Sequence, residues 1–360
     1  MRHDLEQFDP AVPIERAETP PASWYVDPTF LALERCTLFR RTWQAVARSD
    51  QLARPGDYSA GALAGEPYVV VRDRDGTLRA FFNVCRHHAA CVAEGDGNAD
   101  RLVCPYHGWV YDLDGRLRKA PRLGGIQEFD RERFGLVPLE VEAWGPFVFI
   151  RLEPGGESLQ RLLRPLAQRI DTSSLRFLTR RSYEIACNWK VFVDNYLDGG
   201  YHVGQLHGGL AAQLDLDSYR TEIDGRISLQ ICAAGSGGPA AGTDFAERLG
   251  RGAVYAFVYP NFMINRYGPI MDTNWVVPLG HDRTLTVFDY YFEPSESGTA
   301  ERFVERSLVA SDQVQREDIA VCESVQRGLG SSSFDRGRYA PAVEQAAHHF
   351  HGLLHADLCR

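Results

Sequence analysis

The tightest constraint on this chain is a pair of short loops in which a cysteine and a histidine stand almost side by side, Cys85-Arg86-His87 and Cys104-Pro105-Tyr106-His107. Each loop can turn both side chains toward one point, and residues 88–103 give the chain room to leave and return with the second pair. Two thiolates and two imidazoles suit tetrahedral zinc. They equally suit a [2Fe–2S] cluster in which two histidines replace two cysteines on one iron. Zinc fingers usually pair Cys with Cys and His with His, whereas each loop here carries one of each, as a cluster with Cys on one iron and His on the other requires. Eight cysteines in 360 residues are too dilute for a disulfide scaffold. Of the remaining six, Cys91, Cys187, Cys232 and Cys322 are expected to pack as small apolar residues.

Composition narrows the class. At 360 residues and 44% apolar content the chain has room for more than one domain. No run reaches eighteen apolar residues, so a membrane span is not expected. The first thirty residues mix Glu6, Asp9, Glu15 and Glu18 with Arg2 and Arg16 and lack an apolar stretch, which predicts no signal peptide and a cytoplasmic location. A formal charge of −9 without a basic block argues against nucleic acid as a partner.

The two halves have different patterns. Between Trp43 and Leu152, short apolar runs such as Tyr68 to Val71, Leu78 to Val84 and Phe147 to Ile150 alternate with Asp75-Gly76 and Asp114-Gly115, which are hairpin signals. This predicts a small antiparallel β domain that presents the two loops, with a boundary near Pro154-Gly155-Gly156. Beyond it, Trp189, Phe192, Val193, Tyr196 and Leu197 form the stripe of an amphipathic helix over 187–201. Strand-like runs follow at 227–232, 253–259, 275–278 and 284–292, then a long helical pattern from about Ala300 to Gln326.

Cys85-Arg86-His87 followed by Cys104 to Trp109 resembles the ligand set of Rieske iron–sulfur proteins. The segment Asn188 to His202 resembles the catalytic-iron motif of Rieske non-haem iron oxygenases, the terminal components of ring-hydroxylating and demethylating systems. Glu317-Asp318-Ile319-Ala320 with Cys322 and Gln326 resembles the family's third-ligand helix. Together these segments run from about residue 40 to 330. The resemblance implies an α+β chain: an N-terminal helical segment (1–37) on the catalytic domain, an antiparallel β Rieske domain (38–155), and a catalytic domain of antiparallel sheet packed with helices (156–360). It implies that Cys85, His87, Cys104 and His107 hold a [2Fe–2S] cluster and that His202, His207 and Asp318 hold a mononuclear Fe(II). The string around Asp194 to His202 is most similar to choline monooxygenases and their bacterial relatives, which implies a homo-oligomer, typically a trimer.

Two histidines and one carboxylate on one face leave iron positions open for O₂. His202 and His207 are five apart, about 140° around a regular helix, so both face one ion only where the helix ends or bulges; Gly204 is the expected break. Asp318 shares a helix face with Val314, Cys322 and Val325, and an acid among apolar neighbours usually has a partner. Glu317 and Glu323 read as solvated. Many family members carry an acid three positions before the first iron-ligating histidine, bridging to a cluster histidine of a neighbouring subunit. Gly199 stands there instead. Asp198 and Asp194 are the nearby acids that can support a histidine, with Asp198, Asn195 and Asp194 the candidate catalytic residues.

O₂ cleavage needs more electrons than one Fe(II) gives, so the cluster supplies them one at a time, ultimately from NAD(P)H. No Gly-rich dinucleotide fingerprint follows a strand, so a separate reductase or ferredoxin is expected, and Arg101, Arg116, Arg118, Lys119 and Arg122 are its candidate docking patch. The expected reaction is monooxygenation of a small molecule, with an amine as the leading class, by hydroxylation or oxidative demethylation. N-oxygenation of an aromatic or heterocyclic amine and arene cis-dihydroxylation are alternatives, and a Rieske electron carrier is the contrasting non-enzymatic class. Of the aromatics at 255, 257, 259, 262, 275, 288 and 290, most are expected in the core rather than in a cage for a cation. The loop 235–243 is expected to shape the pocket. Four histidines at 348, 349, 351 and 355 read as a helix surface.

Overall fold

Asp75-Gly76 joins the strands Glu66–Arg72 and Leu78–Phe82 into an antiparallel hairpin, with Gly76 at φ +82°, where a side chain would be strained. A computed structural model describes residues 2–211, 214–235, 252–294 and 300–360. In it the hairpin lies inside a seven-stranded sheet ordered Gln44–Arg48, Phe147–Arg151, Pro138–Trp144, Leu78–Phe82, Glu66–Arg72, Asp57–Leu63 and Asp96–Asn98. The alternation of strand side chains gives this sheet two cores. Val69 and Val71 pack with Phe81, Trp109 and Tyr111, while Val70 packs with Ala80, Val148 and Ile150 on the other face. A three-stranded sheet of Leu102–Val103, Val110–Tyr111 and Leu117–Lys119 completes the first core. These elements belong to a compact unit of Arg35–Arg161.

The second unit joins Met1–Glu34 to Leu162–Arg360. Its sheet has seven antiparallel strands in the order Arg176–Ile185, Thr284–Phe292, Ile270–Pro278, Phe262–Tyr267, Gly252–Val258, Ile227–Ala234 and Leu214–Asp224. The two end strands are the polar ones, Arg176–Ile185 alternating exposed and half-buried residues, because an end strand has a neighbour on one side only. Four helices matter for function: α1 (Trp189–Tyr196), α2 (Val203–Leu206), α3 (Ala300–Leu329) and α4 (Gln345–Leu358).

Asn188 caps α1 by accepting a hydrogen bond from the Lys190 backbone N–H, and Trp189, Phe192 and Val193 bury its apolar stripe. The helix stops at Tyr196, short of the range 187–201 that the stripe predicts, because Gly199 and Gly200 turn the chain at φ +71° and +74°. α3 docks along the end strand: Arg181 donates to the Leu308 carbonyl at 3.0 Å and Tyr183 to Asp312 at 2.8 Å. The Asn188 N–H donates to Gln326 at 2.8 Å, which ties the start of α1 to the last turns of α3. Glu34 accepts from the Trp189 indole at 2.7 Å and from Lys190 Nζ at 2.5 Å, with Glu34 and Lys190 both fully buried.

Candidate active site

The two Cys/His loops share one backbone pattern despite their different spacings. In the first, the Cys85 N–H donates to the Ala90 carbonyl and the Ala89 N–H to the Cys85 carbonyl; in the second, Cys104 donates to Trp109 and Gly108 to Cys104. Ala89 and Gly108 both sit at positive φ, +62° and +68°. The equivalent turns bring His87 Nδ1 and His107 Nδ1 within 3.1 Å of each other, at the tip of the unit, while Cys85 and Cys104 are buried behind them. The Trp109 indole stacks on the His87 ring, 4.9 Å between centroids and 7° between planes. Burial pushes the Cys85 thiol up, against hydrogen bonds from Tyr111 and the backbone that favour its thiolate. Two buried sulfurs and two converging outer nitrogens form one donor set, with the histidine end nearer solvent.

In the second unit His202 and His207 flank α2, a single helical turn, with His202 before it and His207 ending it at φ −110° and ψ 64°. The helix therefore ends at the second histidine. Gly204, the expected break, lies inside the turn. His207 Nε2 lies 3.1 Å and His202 Nε2 3.8 Å from the same Asp318 oxygen. Among the described residues these three form the one group of at least three His, Cys, Asp or Glu side chains whose ligand atoms all fall within 4.8 Å of one another. Asn195, on α1, donates to that Asp318 oxygen at 2.9 Å.

The outward nitrogen of each histidine is held by a carboxylate. His202 Nδ1 is 2.6 Å from Asp198 and His207 Nδ1 is 2.6 Å from Glu317. Such hydrogen bonds fix the tautomer and aim Nε2 at a metal. Glu317 is therefore not the solvated acid that its sequence suggests. Burial disfavours charge on His207, but Asp318 and Glu317 outweigh it and hold its pKa above the ordinary value. The hydrogen bonds from Gln313 and His207 keep the Glu317 carboxyl below its own.

Asp198 reaches His202 because of the two glycines that follow it. Its carboxylate accepts from the backbone N–H groups of Gly200, Tyr201 and His202 at 2.9, 3.2 and 2.9 Å as well as from the ring. A Cβ on Gly199 would lie 2.1 Å from the Val343 carbonyl oxygen. No acid fits at 199. Asp194 faces elsewhere: it accepts from Tyr25 at 2.7 Å and lies 3.0 Å from His351 Nε2, so its histidine is on α4 and not in the 202/207 pair. His351 is correspondingly buried, with Tyr339 on its other nitrogen at 2.7 Å, contrary to the reading of that run as a helix surface.

A cavity of about 140 Å³ opens beside the three converging groups. Asn195, Asp198, His202, His207 and Asp318 lie in its wall, with Tyr219, Tyr255, Phe288, Asp272 and Gln315. The Tyr219 and Tyr255 rings stack at 6.4 Å and 13°. Of the aromatics weighed as a cage, Tyr255 and Phe288 line the cavity; Phe257 and Tyr259 pack on Phe350. Most of the 235–243 loop lies outside the described residues. Arg116 pairs with Asp114, and Arg101 and Arg118 share Asp112, so two acids offset part of the charge of the basic hairpin near Cys104.

Residues 42–130 match the Rieske [2Fe-2S] domain, and residues 172–356 match the ring hydroxylating alpha subunit (catalytic domain). The chain belongs to the Rieske ring-hydroxylating oxygenases. It is 50% identical to the chloroplastic choline monooxygenase of Arabidopsis thaliana, over 98% of this chain and 86% of that protein. It is 33% identical to the carnitine monooxygenase oxygenase subunit of Escherichia coli K12, over 94% of each. A crystal structure of a quaternary ammonium Rieske monooxygenase in complex with L-carnitine superposes with a TM-score of 0.81 at 29% identity, covering 98% of both chains. The oxygenase is thus a non-haem iron oxidoreductase. Its two donor sets fit the groups the family carries: two thiols and two imidazoles for the cluster, two imidazoles and a carboxylate for iron. No helix among the described residues is long and apolar enough to cross a membrane.

Proposed function

We propose that this oxygenase is the terminal component of a multicomponent system that monooxygenates a cationic amine, with electrons delivered from NAD(P)H through a separate reductase or ferredoxin. The observation that carries the substrate class is the cavity wall. It places the Asp272 carboxylate, 3% exposed, together with Tyr219 and Tyr255 beside the converging ligands, and among the described residues it includes no Lys or Arg. A carboxylate and aromatic faces recognise an ammonium by charge and by the ring quadrupole. The relatives named for choline and carnitine act on such cations.

Cys85, His87, Cys104 and His107 would hold the cluster, and His202, His207 and Asp318 the iron. When bound, these groups supply one-electron storage and O₂ activation. The chain's own residues position that chemistry. Asp198 and Glu317 fix the two rings with Nε2 inward, Asn195 fixes the Asp318 oxygen, and the largely apolar and aromatic wall limits water. Asp198, at the end of α1 and bonded to His202, is the residue proposed to pass electrons toward a cluster histidine of a neighbouring copy in a homotrimer. One solved relative is described as showing inter-subunit electron transfer.

The test is turnover under ¹⁸O₂ with a surrogate reductase and a panel of amines and arenes, read by mass spectrometry. A trimethylammonium compound gaining one ¹⁸O, or losing a methyl as formaldehyde, supports the proposal. Turnover of arenes alone, to diols carrying two ¹⁸O atoms, overturns it.

A further inference from the structure

Asp194, Asn195 and Tyr196, the last three residues of α1, send their side chains to three different parts of the second unit. Asn195 donates to the Asp318 oxygen at 2.9 Å, and the Tyr196 hydroxyl donates to Asn265 at 2.9 Å on the strand Phe262–Tyr267. Both bonds join residues of the cavity wall. Asp194 turns out of that wall. One of its oxygens accepts from Tyr25 at 2.7 Å, and His351 Nε2 stands 3.0 Å from the other. The Tyr339 hydroxyl holds His351 Nδ1 at 2.7 Å, and Tyr25, Tyr339 and His351 are all buried. Burial, with the Asp194 charge next, pushes both phenols above their ordinary pKa, so Tyr25 remains a donor to the carboxylate. A carboxylate only accepts, so His351 carries a hydrogen on Nε2 and donates it there. This buried cluster touches no reacting atom, and its use lies in what it holds.

The inference rests on the reading of His202, His207 and Asp318 as the iron ligands. We propose that His351 is a positioning residue for that site: through Asp194 it fixes the rotation of the last turn of α1, and so sets Asn195 against Asp318 and Asp198 against His202. α1 is eight residues long and runs into Gly199 and Gly200, so no continuing helix fixes its rotation. The Lys190–Glu34 pair holds the same helix face one turn before Asp194. His351 supplies the second point on that face, from α4. Asp194 and Asn195 stand about 100° apart on one turn, so a slip at the first carries the second with it. A reactive constellation tolerates only about 10–20° of such error. α4 has no described residue in the cavity wall, yet it is coupled in this way to the iron ligands.

The test uses the cluster- and iron-loaded protein. Iron affinity is read by competition with ferrozine, and ligand geometry by electron paramagnetic resonance of the ferrous site with nitric oxide added as a probe. The visible spectrum of the cluster is the folding control. His351→Phe keeps a ring and removes both nitrogens; it is expected to weaken iron binding about ten-fold and to split or broaden the nitric oxide signal. His351→Gln returns an N–H donor near Nε2 and is expected to recover the wild-type affinity to within about two-fold. Asp357→Asn separates position from stability. Asp357 lies on the same helix but accepts from Arg226 at 2.7 and 3.0 Å and from Tyr259 at 3.1 Å, so its variant is expected to lower Tm and leave iron affinity and the signal unchanged. An unchanged His351→Phe, no recovery in His351→Gln, or iron loss in Asp357→Asn equal to that in His351→Phe overturns the inference while leaving the ligand reading intact. If His351→Phe does not fold, Tyr25→Phe removes the other donor to Asp194 and is read in the same way. A wild-type protein that binds no iron beyond its cluster overturns both.

Discussion

His207 Nδ1 lies 2.6 Å from Glu317 while the next residue, Asp318, lies 3.1 Å from Nε2 of the same ring. Two consecutive acids on α3 thus take opposite edges of one imidazole. One aims the histidine and the other shares its ligand point. Glu317→Gln keeps a hydrogen-bond acceptor but removes the charge that favours the Nδ1–H tautomer. We expect iron affinity to fall about ten- to a hundred-fold, measured by competition with a chelator, while the cluster spectrum stays unchanged. Asp318→Ala removes a ligand and should lower metal content from roughly three irons per chain to two, with sulfide constant.

Asp198→Asn separates positioning from electron transfer. If Asp198 only holds His202, iron affinity falls and reduction of the iron that remains keeps its rate. If Asp198 also carries electrons, stopped-flow reduction slows more than iron loss explains. An iron-reconstituted Asp198→Asn protein that reduces its catalytic iron at the wild-type rate counts against the electron-transfer role.

Gly199→Ala adds a Cβ 2.1 Å from the Val343 oxygen at φ +71°. Backbone strain alone costs about 1–2 kcal/mol, and the clash adds to it. Thermal melting should show a lower Tm and the Asp198–His202 turn should loosen, lowering iron retention. Ala89→Gly is the converse: it relieves a positive φ in the cluster loop and should stabilise the cluster unit by about 1 kcal/mol, read as a higher denaturation midpoint.

The buried Lys190–Glu34 pair ties the N-terminal segment to α1. Lys190→Met strands a carboxylate with only the Trp189 indole as partner and should cost about 3–5 kcal/mol, whereas Lys190→Met with Glu34→Gln should recover much of that loss. Chemical denaturation of the single and double variants gives the coupling.

Acid should destabilise the cluster unit in a defined direction. Hydrogen bonds from Asn98 and the Arg54 N–H hold Asp57 below its ordinary pKa of 3.8, and Arg41 and Arg40 hold Glu153 below 4.5. The unfolded chain therefore binds more protons in this range. The contribution is complete above about pH 4.5 and is lost as pH falls through the folded values. Asp57→Asn should be less stable than wild type at pH 7, with the difference shrinking toward pH 3 in urea midpoints followed by tryptophan fluorescence.

The residues that converge at each candidate site were legible because the chemistry proposed for them demands rare neighbours at fixed spacing: Cys beside His twice, then two histidines followed far downstream by an acid on an apolar helix face. Four of the five interior strands of the catalytic sheet were legible from their apolar runs. Phe262–Tyr267 went unmarked, as did the end strands Arg176–Ile185 and Leu214–Asp224, whose polar composition follows from their place at the edges. What the chain order determined is which donors exist and how far apart they lie along the backbone. Only the tertiary structure decided that Glu317 rather than Asp194 bonds one of the 202/207 histidines and that Gly199 is sterically required. Those assignments depend on which helix face meets which strand, and a contact between residues more than a hundred positions apart leaves no periodic signature in the sequence.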